Sequence, residues 1–187
     1  MWSGWLTCVS QKDINNSGDG GLYAELVRNR AFQSAENFPP TLDAWYSLGG
    51  AVLSLKQLEK PLSAALSTSL NVAPGPGDYA ASVGFFNDGY WGMDVKKANK
   101  YTGSFWVKGQ YDGQFTASLR SNITGDTFGS TTIQSKCNSV DWIEHTYELR
   151  PDTDAPNSNN TLAITFDPSV SFFPTVTRDV CRAEQHR

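Results

Sequence analysis

The sequence predicts an all-β protein, an antiparallel β-sandwich of jelly-roll type with a short N-terminal helix. Three observations predict it. From Trp45 onward, apolar residues recur at every second position in short runs. Turn clusters separate the runs, such as PGPGD at 74–78 and the pair Asp112–Gly113. About nine such runs follow one another, the pattern of a sandwich rather than of alternating strand and helix.

The opening stretch, DINNSGDGGLYAELVRNRAF at 13–32, is a turn cluster running into a helical pattern. Asp19 is a candidate cap, and Leu22 with Leu26 and Tyr23 with Val27 recur at i, i+4. A helix is expected from Gly20 to Arg30, docked on the sandwich through Leu22, Leu26 and Tyr23, and Pro39 and Pro40 break any continuation. AVLSLKQL at 51–58 alternates, with Val52, Ser54 and Lys56 opposed to Leu53, Leu55 and Gln57. STSLNVA follows, then YAASVGFF and GYWGMDV. YTGSFWVKGQY puts Tyr101, Phe105, Val107 and Tyr111 on one face and Thr102, Ser104, Trp106, Lys108 and Gln110 on the other. After the Asp112–Gly113 turn, Phe115, Ala117, Leu119 and Ile123 share a face, a strong hairpin signal. STTIQS, WIEHTYELR and TLAITFD complete the set. The expected organisation is an N-terminal segment over 1–40, the sandwich over 41–167 and an irregular tail over 168–187.

Composition narrows the function. The net charge is −4 and the basic residues are scattered, which argues against binding a phosphate backbone. No apolar run approaches the ~20 residues of a membrane span. Neither a nucleic acid nor a membrane is an expected partner. Cys8, Cys137 and Cys181 are far apart and without CxxC spacing, so they suggest free thiols, not a disulfide framework or a zinc site. MWSGWLTCVSQKD lacks the basic and apolar regions of a secretory leader, so a cytoplasmic protein is expected. On that expectation the sequons headed by Asn15, Asn122 and Asn159 carry no meaning.

The block DINNSGDGGLYAELVRNRAFQ resembles the N-terminal region of fungal α-L-arabinofuranosidases of glycoside hydrolase family 51. The following region, about 43–166, resembles the carbohydrate-binding-module-like β-sandwich of those enzymes, most clearly in GDYAASVGFFNDGYWGMDVKKANKYTGSFWVKG. The resemblance implies a (β/α)₈ catalytic barrel after the sandwich, carrying two glutamates as acid/base and nucleophile. The 187 residues end before such a barrel. Retaining hydrolysis needs two carboxyl groups ~5 Å apart. Glu144 and Glu148 fall on one strand face ~13 Å apart, which suits a solvated face instead. Where fungal relatives read Phe-Glu-Asp-Ile-Asn, this chain reads QKDIN, with Gln11 and Lys12 replacing an apolar residue and an acid. The expectation is a truncated relative without glycosidase activity.

A sugar-binding face needs exposed rings with polar neighbours. GFFNDGYWGMD is the richest patch, and the candidate ligand-binding residues are Phe86, Asn87, Tyr90, Trp91, Asp94, Trp106, Lys108 and Trp142. Strand alternation sends one of Phe85 and Phe86 into the core. His145 shares a face with Ile143, Tyr147 and Leu149 and is expected to be a core or sheet-face histidine. Asp152, Asp154 and Asn157 are expected to belong to an ordinary polar loop, and neither metal nor cofactor is implied.

Two functions fit. One is a repurposed sandwich holding an apolar small molecule, with a cofactor-free cyclase of the pericyclase or Diels-Alderase type in fungal secondary metabolism as its specific form. Orientation alone can supply ~7 kcal/mol of a ring-closing barrier, with Trp91, Tyr90 or Lys108 polarising a carbonyl. The other is a stand-alone carbohydrate-binding module without enzymatic activity. A concave aromatic pocket favours the first, and a shallow open groove favours the second.

Overall fold

Period-two alternation requires each strand to bury one face, and two sheets packed face to face meet that need. The computed structural model describes residues 5–7, 23–24, 26–30, 32, 39–57, 59–64, 66–76, 80–135, 137–170, 172–173, 179–180 and 183–184. Its strands are β1 (Trp5–Thr7), β2 (Tyr23–Ala24), β3 (Trp45–Leu48), β4 (Ala51–Gln57), β5 (Thr68–Pro74), β6 (Val83–Asn87) and β7 (Tyr101–Tyr111). β8 (Gln114–Ser121), β9 (Thr127–Gln134), β10 (Cys137–Leu149), β11 (Asn160–Phe166), β12 (Phe172–Phe173), β13 (Asp179–Val180) and β14 (Ala183–Glu184) follow. A five-stranded antiparallel sheet runs β3-β6-β11-β8-β9. A seven-stranded sheet runs β10-β7-β1-β5-β4, with β12 and β13 also paired to β7. β14 pairs with β2.

The core lies between the two sheets. Leu70, Val72, Phe105, Val107, Tyr111 and Leu149 come from the larger sheet, and Val83, Phe85, Phe115, Leu119, Ile164 and Phe166 from the smaller. Phe105 meets Phe115 edge-on at 5.2 Å, and Tyr111 lies 4.9 Å from Phe115. Each such side chain, fully buried, is worth about 1.5–3 kcal/mol. The face expected of Tyr101, Phe105, Val107 and Tyr111 is the buried one. Phe85 is the core member of its pair, and Trp45 packs on it at 5.6 Å. His145 is buried, stacked on Phe105 at 5.3 Å and edge-on to Phe115, so it is a core histidine.

Four expectations change. The helix expected over Gly20–Arg30 lies partly outside the described residues, and its described part is not helical. Tyr23–Ala24 is a strand and Leu26–Arg30 is irregular. The Asn87 side chain takes both the N–H and the C=O of Arg28, and Asn29 has φ 51°, so this backbone cannot enter a helical ladder. The segment still docks on the sandwich, through Val27 and Phe32, with Leu26 partly buried.

GYWGMDV is not a strand. Gly89 and Gly92 adopt φ 70° and 80°, and a Cβ on Gly92 would lie 2.0 Å from the Ser158 carbonyl oxygen. Its bonds are single ties: Met93 N donates to Ser158 O, Asp94 O accepts from the Tyr101 hydroxyl and Val95 O accepts from Ala155 N. Ile123 leaves the buried face because β8 ends at Ser121 and the chain turns there, so Ile123 is 65% exposed. Finally, the seven-stranded sheet is not confined to 41–167. β1 lies between β5 and β7, and β12 and β13 bring parts of the tail onto β7.

Candidate functional site

The five-stranded sheet turns one face outward, and its strand order decides which side chains meet there. Alternation points Trp45 and Phe85 inward, hence Tyr46 and Phe86 outward. Register places Tyr46 opposite Phe86, and Phe86 opposite Ala163. The two rings stack, with centroids 5.1 Å apart and planes 22° from parallel. Beside them an open depression of about 160 Å³ crosses the sheet, lined by Leu48, Phe86, Ala163, Thr161, Arg120 and Asn122 among others.

The rim of this face is built from three connections. In the 88–92 turn, Asn87 Oδ1 accepts from Gly89 N at 2.9 Å, and Asn160 Nδ2 donates to Met93 O at 2.8 Å. In the 122–126 turn, Ser121 Oγ accepts from Ile123 N and Thr124 N. The 157–159 loop meets that turn, since Asn122 Nδ2 donates to Asn159 Oδ1 at 3.1 Å. Tyr46, Tyr90, Trp91 and Ile123, four of the five large exposed apolar side chains among the described residues, belong to this face and rim. Trp91 is 92% exposed, on a turn whose backbone is tied down on both sides. The Tyr46 hydroxyl donates to Asp88 Oδ2 at 3.2 Å, and the charge of that carboxylate, with the hydrogen bond second, raises the phenol above its ordinary 10.0.

The sequence-predicted residues do not form one site. Phe86 lies in the groove, and Tyr90 and Trp91 stand on the connection that follows β6. Asn87 is wholly buried, its amide committed to Arg28 and Gly89, and it is corrected from ligand residue to internal clamp. Asp94 pairs with Lys96 Nζ at 3.0 Å, which raises that ammonium's pKa, and its carbonyl accepts the Tyr101 hydroxyl. It anchors a bend rather than facing the groove. Trp106, Lys108 and Trp142 lie on the outward face of the other sheet, across the sandwich from Phe86. There Lys108 Nζ and Trp142 Nε1 both donate to Lys60 O, and the ammonium sits 5.5 Å from the Trp142 ring. They latch the 59–63 connection to the sheet.

Glu144 and Glu148 are exposed on that same outward face, as their spacing implied. Arg150, with Lys100 contributing, lowers the Glu148 carboxyl below its usual range, the signature of a surface ion pair. Asp154 Oδ1 accepts from Lys97 N and Asn157 Oδ1 from Asn159 N, so both serve loop geometry. Among the described residues no cluster of His, Cys, Asp or Glu is arranged to hold a metal. Sequence reasoning missed Tyr46, Arg120 and Thr161. Tyr46 was available from strand alternation after Trp45, but its pairing with Phe86 needs the register.

The chain is 38% identical over 156 residues to a probable α-L-arabinofuranosidase A of Aspergillus terreus, covering 83% of this chain and 24% of that protein. It is a relative of the family 51 arabinofuranosidases. The α-L-arabinofuranosidase A of Aspergillus niger is 36% identical over 162 residues, covering 86% of this chain and 24% of its own. An Arabidopsis thaliana enzyme, α-L-arabinofuranosidase 1, is 28% identical over 161 residues. The chain thus spans about a quarter of the length of these relatives. Among solved structures, an arabinose-bound family 51 arabinofuranosidase matches 99% of this chain and 31% of its own, with a TM-score of 0.72 and 29% identity. No family model matches the chain. The match to that solved structure covers nearly the whole chain, so the groove described above lies within it.

Proposed function

We propose that this family 51 relative is a non-catalytic carbohydrate-binding sandwich whose ligand lies on the outward face of the five-stranded sheet. One observation carries the reading. The Tyr46 and Phe86 rings stack at the surface beside an open groove with amide, hydroxyl and guanidinium groups along it. A sugar presents a C–H face for a ring and hydroxyls for such neighbours. The arabinose-bound state of the solved relative supports a sugar as the ligand class. Trp91, 92% exposed on the turn that follows β6, would extend the contact along a polymer. The groove is open and, at about 160 Å³, smaller than the ~300–1,000 Å³ of enclosing small-molecule sites. No observation among the described residues favours a ring-closing enzyme.

Retention on arabinoxylan gels tests the reading. The parent chain should be retarded. Phe86→Ala and Trp91→Ala should each weaken retention on the gel, with unchanged thermal melts, because each removes a surface ring that a sugar's C–H face would stack on. Trp142→Ala, on the opposite sheet, should leave retention intact. Retention lost in Trp142→Ala but kept in Phe86→Ala would place the ligand on the wrong sheet.

A further inference from the structure

We infer that the groove selects saccharides that carry a carboxylate, and that Arg120 is the residue that reads it; the inference rests on the saccharide-binding reading above. Arg120 is the charged member of the groove lining, and its companions there are apolar or neutral polar. The chain as a whole carries −4, so a cation at this place is not part of a general basic surplus. β8 sets Leu119 into the core and therefore points Arg120 outward, opposite Thr161 on β11.

What the guanidinium holds is informative. Its Nη2 donates to the Gly125 carbonyl at 3.3 Å, a neutral acceptor. Among the described residues no carboxylate pairs with it. The acid on the adjoining turn, Asp126, instead accepts the Thr124 hydroxyl at 2.6 Å. A half-buried guanidinium with unused donors is a planar fork shaped for a carboxylate. Phe86 and Arg120 stand two strands and two residues apart on one face, so their Cα atoms are roughly 12 Å apart. That span exceeds one sugar ring. The occupant is therefore an oligosaccharide with one unit stacked on Phe86 and an acidic unit, a uronic acid, further along at Arg120.

Calorimetric titration of the full chain with two probes of equal length decides the matter. One is an unsubstituted xylo-oligosaccharide and the other carries a glucuronic acid substituent. The acidic probe should bind about tenfold tighter, ~1.4 kcal/mol, and added salt should erode that preference while leaving the neutral probe unaffected. Arg120→Gln should bring the acidic probe down to the neutral one, with an unchanged melting temperature. The salt dependence in the parent serves the same purpose if that variant does not fold. Equal affinities in the parent, or a preference that survives in folded Arg120→Gln, overturn the role of Arg120 while saccharide binding stands. Binding of neither probe overturns both readings.

Discussion

Asn87 links two parts of the chain that are far apart in sequence. Its buried amide accepts from the N–H of Arg28 and of Gly89 and donates to the carbonyl of Arg28. Replacing it by Ala leaves three backbone groups without those bonds at a place water reaches poorly, at about 1–3 kcal/mol per orphaned group. Asn87→Ala should lose about 3 kcal/mol or more in urea unfolding. A loss within experimental error would mean that Val27, Phe32 and the ties of Arg28 and Asn29 to residues 41–45 suffice to hold this segment. Tyr111 makes a pH-dependent contribution. Burial raises its phenol above 10.0, against the opposing pull of its bonds to Asp167 N and Gln114 O. A raised folded pKa means the fold favours the neutral phenol. Its contribution is present below the ordinary value and is lost as pH rises through the folded one. The stability difference between the parent and Tyr111→Phe should therefore shrink above about pH 10, read by denaturant melts across that range.

Among the elements, the 88–92 turn is the one most dependent on a single residue. Gly92 combines φ 80° with a backbone oxygen 2.0 Å from where a Cβ would sit. Gly92→Ala should displace the turn, reduce stability by about 1–3 kcal/mol, and disturb Trp91 emission more than a distant control such as Gly50→Ala. Gly50 also has positive φ, but its Cβ would meet nothing within 4 Å. The same turn shows where sequence reading stops. β7 and β8 were legible because Tyr101, Phe105, Val107 and Tyr111 alternate cleanly and a two-residue turn fixes the pairing that follows. GYWGMDV carries strand-forming residues, but the closeness of Ser158 that rules out a strand comes from tertiary structure. The groove was half legible for the same reason. Phe86 was found from local composition, whereas Tyr46 and Arg120 reach the groove through pairings with Phe86 and Thr161, 40 and 41 residues away in sequence.

At the scale of the whole molecule, both sheets depend on one shared core. Phe105 and Leu119 are fully buried on opposite sides of it, on β7 and β8. Phe105→Asp or Leu119→Asp places an unpaired charge there and should cost about 4 kcal/mol or more. Either variant should lose its cooperative melt, visible in near-ultraviolet circular dichroism. The insertion of β1 has a consequence in time. The five-stranded sheet draws all its strands from residues 45–166, whereas Leu6 must find both Leu70 and Val107. On a ribosome the residues of β1 therefore wait through roughly a hundred additions, at about 5–20 per second, before their second neighbour exists. Pairings of such long reach are slow to close. The smaller sheet waits longer still, because β11, which joins β6 to β8 beneath the groove, is made at 160–166, after β1, β4, β5, β7 and β10 of the larger sheet.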